Sequence, residues 1–367
     1  MRVPSRLADE FKTSLAGMME AFLKERKLLS GDDALLDERF LRRSIVPHLE
    51  RLSDRFNRKT SVDEDGREAV GKYWTEGSNT KNLRLAYFLH YLPLNAFRMA
   101  AVWSELKTLG WKPQISGSGI RMLEWGAGPG SGAAGVLLSE AWSGQEKLAQ
   151  QWRVALVERD AANGRWGQDW ISFLGAQQGI TVQSESFTRE LTLDRPWLPE
   201  KAPTFDVMLS SFFLNEVWES LEQLSERLVE TWRRHLNQGG IAIVIEPALR
   251  EQSRKLLELR KVLIPKLAQI GAQVLLPCLG HQACGALEVE TDWCHERVGW
   301  WRPDYMRTLD RLTGMDHKEL DFSYWVIARD KRPLEKILPG LKGKASTRYR
   351  LVSESEKNAR DWKLYLC

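Results

Sequence analysis

The sequence predicts an α/β protein, a Rossmann-like sheet preceded by a helical region, and three observations predict it. Ahead of about residue 112, apolar residues recur at three- and four-residue spacing with charges between them. From Arg121 onward, short β-rich runs alternate with amphipathic helices, the mark of a parallel α/β sheet. A glycine-rich turn, EWGAGPG, then joins the first such run to the first such helix.

The helical region, residues 1–112, opens with DEFKTSLAGMMEAFLKERKLL and LLDERFLRRSIVPHLERLSDRF, both with helical apolar spacing. The polar run NRKTSVDEDGRE reads as a loop. NLRLAYFLHYLPLNAFRMAAVWSELKTL follows as one or two helices, with a break expected near Pro93, and GWKPQISGSG is a turn-rich linker. In the Rossmann-like domain, residues 113–330, strands are expected at RMLEW, WRVALVE, ITVQSESF, FDVMLSSFF, GGIAIVIEP, AQVLLP and FSYWVIAR. Helices such as SGAAGVLLSEAW and VWESLEQLSERLVETWRRHL separate them. A cysteine-rich segment, residues 277–300, is an insertion between the last two strands, and residues 331–367 form a basic extension.

The turn from Glu124 to Gly130 carries the most chemistry. Gly126, Gly128 and Gly130 permit a tight turn and let a ligand approach the backbone. A dinucleotide fingerprint would need glycine at position 131, where this chain has Ser131. A carboxylate at Glu124 would repel a pyrophosphate but suits an ammonium, so S-adenosylmethionine fits better than NAD. Glu158 closes the second strand, where an acid can accept hydrogen bonds from both ribose hydroxyls. At the end of the fourth strand, SSFFLNEV has neither an Asn-Pro-Pro-aromatic nor an Asp-Pro-Pro-aromatic pattern, and no cysteine nucleophile. Asn215, Glu216 and Glu246 are therefore catalytic candidates by position only, set against a role in capping and turn stabilisation.

All four cysteines fall near the end of the chain, at Cys278, Cys284, Cys294 and Cys367. The N-terminal segment has charges throughout and no apolar core of a secretory signal, which points to a cytoplasmic protein with reduced thiols. Clustered thiols in that setting suit a metal centre better than disulfides. The gaps of five and nine residues do not fit the usual zinc knuckle, leaving an iron–sulfur cluster or zinc. His281 and His295 are further ligand or supporting candidates.

A net charge of +4 decides little, but Arg329–Arg350 carries eight Lys/Arg against two acids, which suits either solvent or a phosphate backbone. No run approaches the length of apolar sequence that spans a bilayer.

Taken together, EWGAGPG, SSFFLNEV, GGIAIVIEP, the C-x5-C-x9-CH segment and FSYWVIAR resemble the mitochondrial small-ribosomal-subunit methyltransferase-like assembly factors and their bacterial relatives, from about Tyr91 onward. The resemblance implies a class I methyltransferase fold, binding of S-adenosylmethionine, association with small-subunit ribosomal RNA, and a four-cysteine [4Fe–4S] cluster. Cys278, Cys284 and Cys294 match the first three ligands, and Cys367 falls where the fourth is expected. This chain has CLGHQACG where the family usually has C-P-H-x-x-x-C-P, so both prolines are missing. Two functions stay open: methylation of ribosomal RNA, and a non-catalytic assembly role in which the cofactor stabilises a binding conformation. A small-molecule methyltransferase fits the basic extension less well.

Overall fold

A computed structural model describes residues 3–29, 34–58, 80–114, 119–279, 283–341, 350, 356–357 and 362–363. Helices α1 (Ser5–Thr13), α2 (Leu15–Glu25), α3 (Glu38–Ser44), α4 (Val46–Arg58) and α5 (Thr80–Thr108) precede the sheet. The first helical run divides at Ser14, whose amide bonds back to Glu10 at 2.8 Å. Asp37 caps α3, its side chain accepting from the Arg39 amide at 2.9 Å.

The expected break at Pro93 does not occur: α5 runs through it unbroken. Proline removes the N–H that would bond the carbonyl four residues earlier, on Leu89. The buried hydroxyl of Tyr305 supplies the missing donor, at 2.9 Å from the Leu89 carbonyl oxygen. The penalty is thus met from α10 (Asp304–Thr313), 216 residues away in sequence, which no local pattern reveals. Tyr305→Phe strands that carbonyl and should lower unfolding free energy by about 1–3 kcal/mol, read by urea denaturation.

The sheet strands are β1 (Ile120–Trp125), β2 (Gln151–Glu158), β3 (Thr181–Thr188), β4 (Phe205–Ser211), β5 (Leu236–Glu246), β6 (Gln273–Leu276), β7 (Glu296–Gly299) and β8 (Glu319–Ala328). Between them lie α6 (Ser131–Trp142), α7 (Ala161–Gln177), α8 (Leu221–His235), α9 (Arg250–Gln269) and α10, and α11 (Leu334–Ile337) follows. The order is β3-β2-β1-β4-β5-β8-β6, with β7 paired to β8. The first five strands are parallel, while β8 enters antiparallel between β5 and β6. The sheet is therefore mixed rather than purely parallel, since alternation in sequence carries no information on the order of strands in space. β7 was not expected. Its sequence, ERVG, buries only Val298, and it gains its place by pairing with β8 from Glu296↔Phe322 to Gly299↔Glu319.

The helices of the first hundred residues share one hydrophobic core with a face of the sheet, running from Leu7 and Phe11 through Phe97 and Trp103 to Val207 and Ile243. A second core on the other face joins Trp125, Trp197 and Trp232 to Leu256 and Leu263. β1 connects outward to β2 on one side and pairs with β4 on the other. The crossovers diverge there, and the carboxyl ends of β1 and β4 are the position at which open α/β sheets form their ligand crevice.

Candidate functional site in the crevice

The turn after β1 takes its shape from three glycines in the left-handed region: Gly126 at φ 55°, Gly128 at 51° and Gly130 at 79°. Contact also forbids a side chain at the first, because a Cβ on Gly126 would lie 2.6 Å from the ring of Phe213. Glu124 is buried, and its two oxygens accept from the amides of Gly132 at 2.8 Å and Ala133 at 2.9 Å. They fill the open N-terminus of α6. Burial pushes this carboxyl up to about 7, against the pull of those two amides. Glu124 therefore ties the turn to its helix, whereas the sequence suggested that it meets an ammonium.

Glu158 stands across the turn at the end of β2, nearly buried. One oxygen accepts from the Gly128 amide at 2.9 Å and the other from the Asp160 amide at 3.0 Å. Burial raises its pKa, and the two amides oppose that. Asp160 caps α7 through the Asn163 amide at 2.7 Å and pairs with Arg84 of α5 at 3.0 Å. Tyr87, one turn along α5, reaches within 3.9 Å of where a Cβ on Gly128 would stand. Glu158, Glu216 and Glu124 all raise its hydroxyl above the usual tyrosine range, after burial itself. A helix assigned from sequence to a separate region thus forms a wall of the crevice.

At the end of β4, Phe212 adopts φ 57°, an unusual conformation for a bulky residue. The next turn, Leu214–Glu216, is pinned by Glu246 at the end of β5. Fully buried, Glu246 accepts from the Leu214 amide at 2.8 Å and the Asn215 amide at 3.4 Å. Burial pushes it up to about 8, against the pull of the backbone amides. Glu216 lies 3.7 Å from Arg159, and Asn215 keeps a buried Oδ1 without a hydrogen-bond partner. Of the three positional candidates, Glu246 is occupied in shaping the turn, while Asn215 and Glu216 sit on it.

Cys278, Cys284 and Cys294 lie between β6 and β7, and none is in a disulfide. Cys278 is buried and the other two are partly exposed. Arg254 of α9 braces the segment: one guanidinium nitrogen donates to the carbonyls of Ala286, Val289 and Asp292 at 3.0, 2.8 and 2.6 Å. Ser323 of β8 donates to the Cys294 carbonyl at 2.8 Å. Three thiols on an anchored loop are a donor set suited to thiolate-bound metal. Among the described residues, however, no three His, Cys, Asp or Glu side chains are placed to hold an ion. Cys367 and His281 lie outside the described residues. His295 is exposed and stacks on Trp293, with ring centroids 5.6 Å apart.

The basic extension is less available for phosphate than its composition suggests. Arg329 donates to the Leu236 carbonyl, Arg332 pairs with Asp330 at 2.6 Å, and Arg350 bridges Glu105 at 3.0 Å and Glu296 at 2.6 Å. Lys342, Lys344 and Arg348 lie outside the described residues.

A family model described as mitochondrial small ribosomal subunit Rsm22 matches residues 86–367. The chain belongs to the Rsm22 family. The Rsm22 match begins inside α5 and takes in the glycine turn, Glu158, the turn after β4 and all four cysteines. No curated protein matches the chain. Among solved structures, the chain is similar to a methyltransferase from Pyrococcus furiosus (19% identity, 47% of this chain and 74% of that one, TM-score 0.30). It is also similar to a fibrillarin pre-rRNA processing protein from Methanococcus jannaschii (13%, 64% and 75%, 0.32). A third is magnesium protoporphyrin IX methyltransferase from Synechocystis PCC 6803 with bound SAH (13%, 60% and 90%, 0.33). Likeness at these scores assigns no residue or ligand to this Rsm22 member. No helix among its described residues is long and apolar enough to cross a membrane.

Proposed function

We propose that this protein is an S-adenosylmethionine-binding, methyltransferase-like component of small ribosomal subunit assembly or modification. The observation that carries the reading is the meeting of Glu158 with the left-handed glycine turn at the crevice, the carboxylate 2.9 Å from the Gly128 amide. An acid there has lone pairs for ribose hydroxyls, and the bare Gly128 backbone allows a flat or charged ligand to lie close. Membership of the Rsm22 family supports the small ribosomal subunit as partner and its RNA as the acceptor.

A second reading, assembly without methyl transfer, is favoured by Glu246. This buried carboxyl beside the turn after β4 is bonded to two backbone amides, which occupies it as a turn anchor, and Glu216 on the turn stands beside Arg159. Radiolabelled methyl transfer to purified small subunits separates the two. Incorporated label supports the enzyme, and donor binding without label supports the assembly factor.

The same proposal includes a thiolate-bound [4Fe–4S] cluster, or zinc, on Cys278, Cys284, Cys294 and Cys367. When bound, it would tie the segment after β6 to the end of the chain. Anaerobically purified protein should contain iron and sulfide, and Cys284→Ser should lose most of both. Iron and sulfide at wild-type levels in that variant would remove Cys284 from the ligand set, and zinc in their place would select the alternative.

A further inference from the structure

α5 is mostly buried, yet it carries a polar stripe. Arg84, Tyr87, Tyr91, Asn95 and Arg98 recur at three- and four-residue spacing, so they share one face. The positions between them are almost all buried apolar residues, among them Leu85, Phe88, Leu92 and Phe97. The stripe runs along the carboxyl ends of the strands. Arg84 meets Asp160 after β2, Tyr87 stands against Gly128 after β1, and the Arg98 guanidinium sits 5.2 Å from the centre of the Phe212 ring after β4.

We propose that the end of this stripe nearest β4 is the acceptor wall of the crevice, and that it takes an unpaired RNA nucleotide. The base packs against Tyr91 and the phosphate meets Arg98. This rests on the donor reading above, because Tyr87 then covers the donor and Tyr91 is the next ring along. The two rings have centroids 5.1 Å apart and are inclined by 32°, a continuous aromatic surface with both members partly exposed. RNA is read in single strands by stacking splayed bases on such rings. Arg98 supplies the charge. Its Nη1 donates to Asn95 at 2.8 Å, its buried Nε has no hydrogen-bond partner, and burial draws its pKa down to about 10. A desolvated guanidinium with spare donors calls for an anion, and a phosphate matches its fork. Within the protein its charge is answered only in part, by Asp321.

The test uses intact protein and a fluorescein-labelled, unstructured RNA of about twelve nucleotides, followed by anisotropy, with calorimetric titration of S-adenosylmethionine alongside. Tyr91→Ala should weaken RNA binding about tenfold or more, and Tyr91→Phe should restore it. Arg98→Gln should weaken it and flatten its salt dependence by about one ion. Donor affinity should be unchanged in all three variants, and melting curves check that each is folded. RNA affinity equal to wild type in Tyr91→Ala overturns the proposal, as does equal binding of a fully paired duplex. Wild type that binds donor but not RNA defeats the acceptor wall and leaves the donor reading standing. RNA binding that depends on Tyr91 without any donor binding supports the wall and defeats the donor reading instead.

Discussion

Lys107→Met should cost about 3–5 kcal/mol of unfolding free energy, the largest effect expected of a single substitution in this fold. Lys107 of α5 and Glu140 of α6 form an ion pair at 2.9 Å, with side chains only 4% and 0% exposed. Glu140 also accepts from the Trp103 indole at 2.7 Å and the Leu148 amide at 2.7 Å, so it is fixed in place. The ammonium has no hydrogen bond of good geometry and depends on this one charge contact. Methionine keeps the stem and removes the charge, which leaves a carboxylate stranded in the core between α5 and α6. Chemical denaturation measures the loss. Adding Glu140→Gln to the variant removes the stranded charge and should recover part of it. A Lys107→Met protein as stable as wild type would contradict a stabilising role for this pair.

Gly135→Ala should rank next, at about 3 kcal/mol or more. α5 and α6 touch backbone to backbone at this glycine. A Cβ there would lie 2.3 Å from the Ala96 carbonyl oxygen and 2.8 Å from the Met99 Cβ. Neither neighbour is the loose end of a flexible side chain, so the helices must separate. That separation moves α5, and with it Tyr87 and Arg84 over the glycine turn. Donor binding should therefore weaken together with stability. By contrast, Gly17→Ala meets nothing within 4 Å and should be neutral or slightly stabilising. Thermal melting of the two variants side by side makes the comparison.

The alternation of strands and helices was legible because each element satisfies a short-range rule. The glycine turn was legible because left-handed backbone needs glycine. Where the sequence reading fell short, the deciding partner was distant in the chain. Pro93 looked like a helix break because its remedy, Tyr305, lies far downstream. β7 was missed because ERVG becomes a strand only against β8. The antiparallel entry of β8 has no local signature.

At the site, Glu158 meets the glycine turn through the Gly128 amide, while Glu124 is turned inward to α6. Nothing in EWGAGPG tells an acid that caps a helix from one that meets a ligand. Tyr87 and Arg84 went unread because their helix was assigned to another region. The signal was present in the polar positions of α5, at a spacing that keeps them on one face of an apolar helix. The cysteines remain a sequence argument. Their loop is held by Arg254 and Ser323, and no gathered set of ligands is found among the described residues.

Calorimetric titration of S-adenosylmethionine into the wild-type protein and Glu158→Ala tests most directly whether the crevice is a donor site. On the proposed reading the carboxylate would give the ribose charge-assisted hydrogen bonds, and their loss should weaken binding about tenfold or more while the protein stays folded. Saturable binding by the wild type with that loss in the variant is the predicted result. No heat from the wild type, or identical affinities for the two proteins, would contradict it.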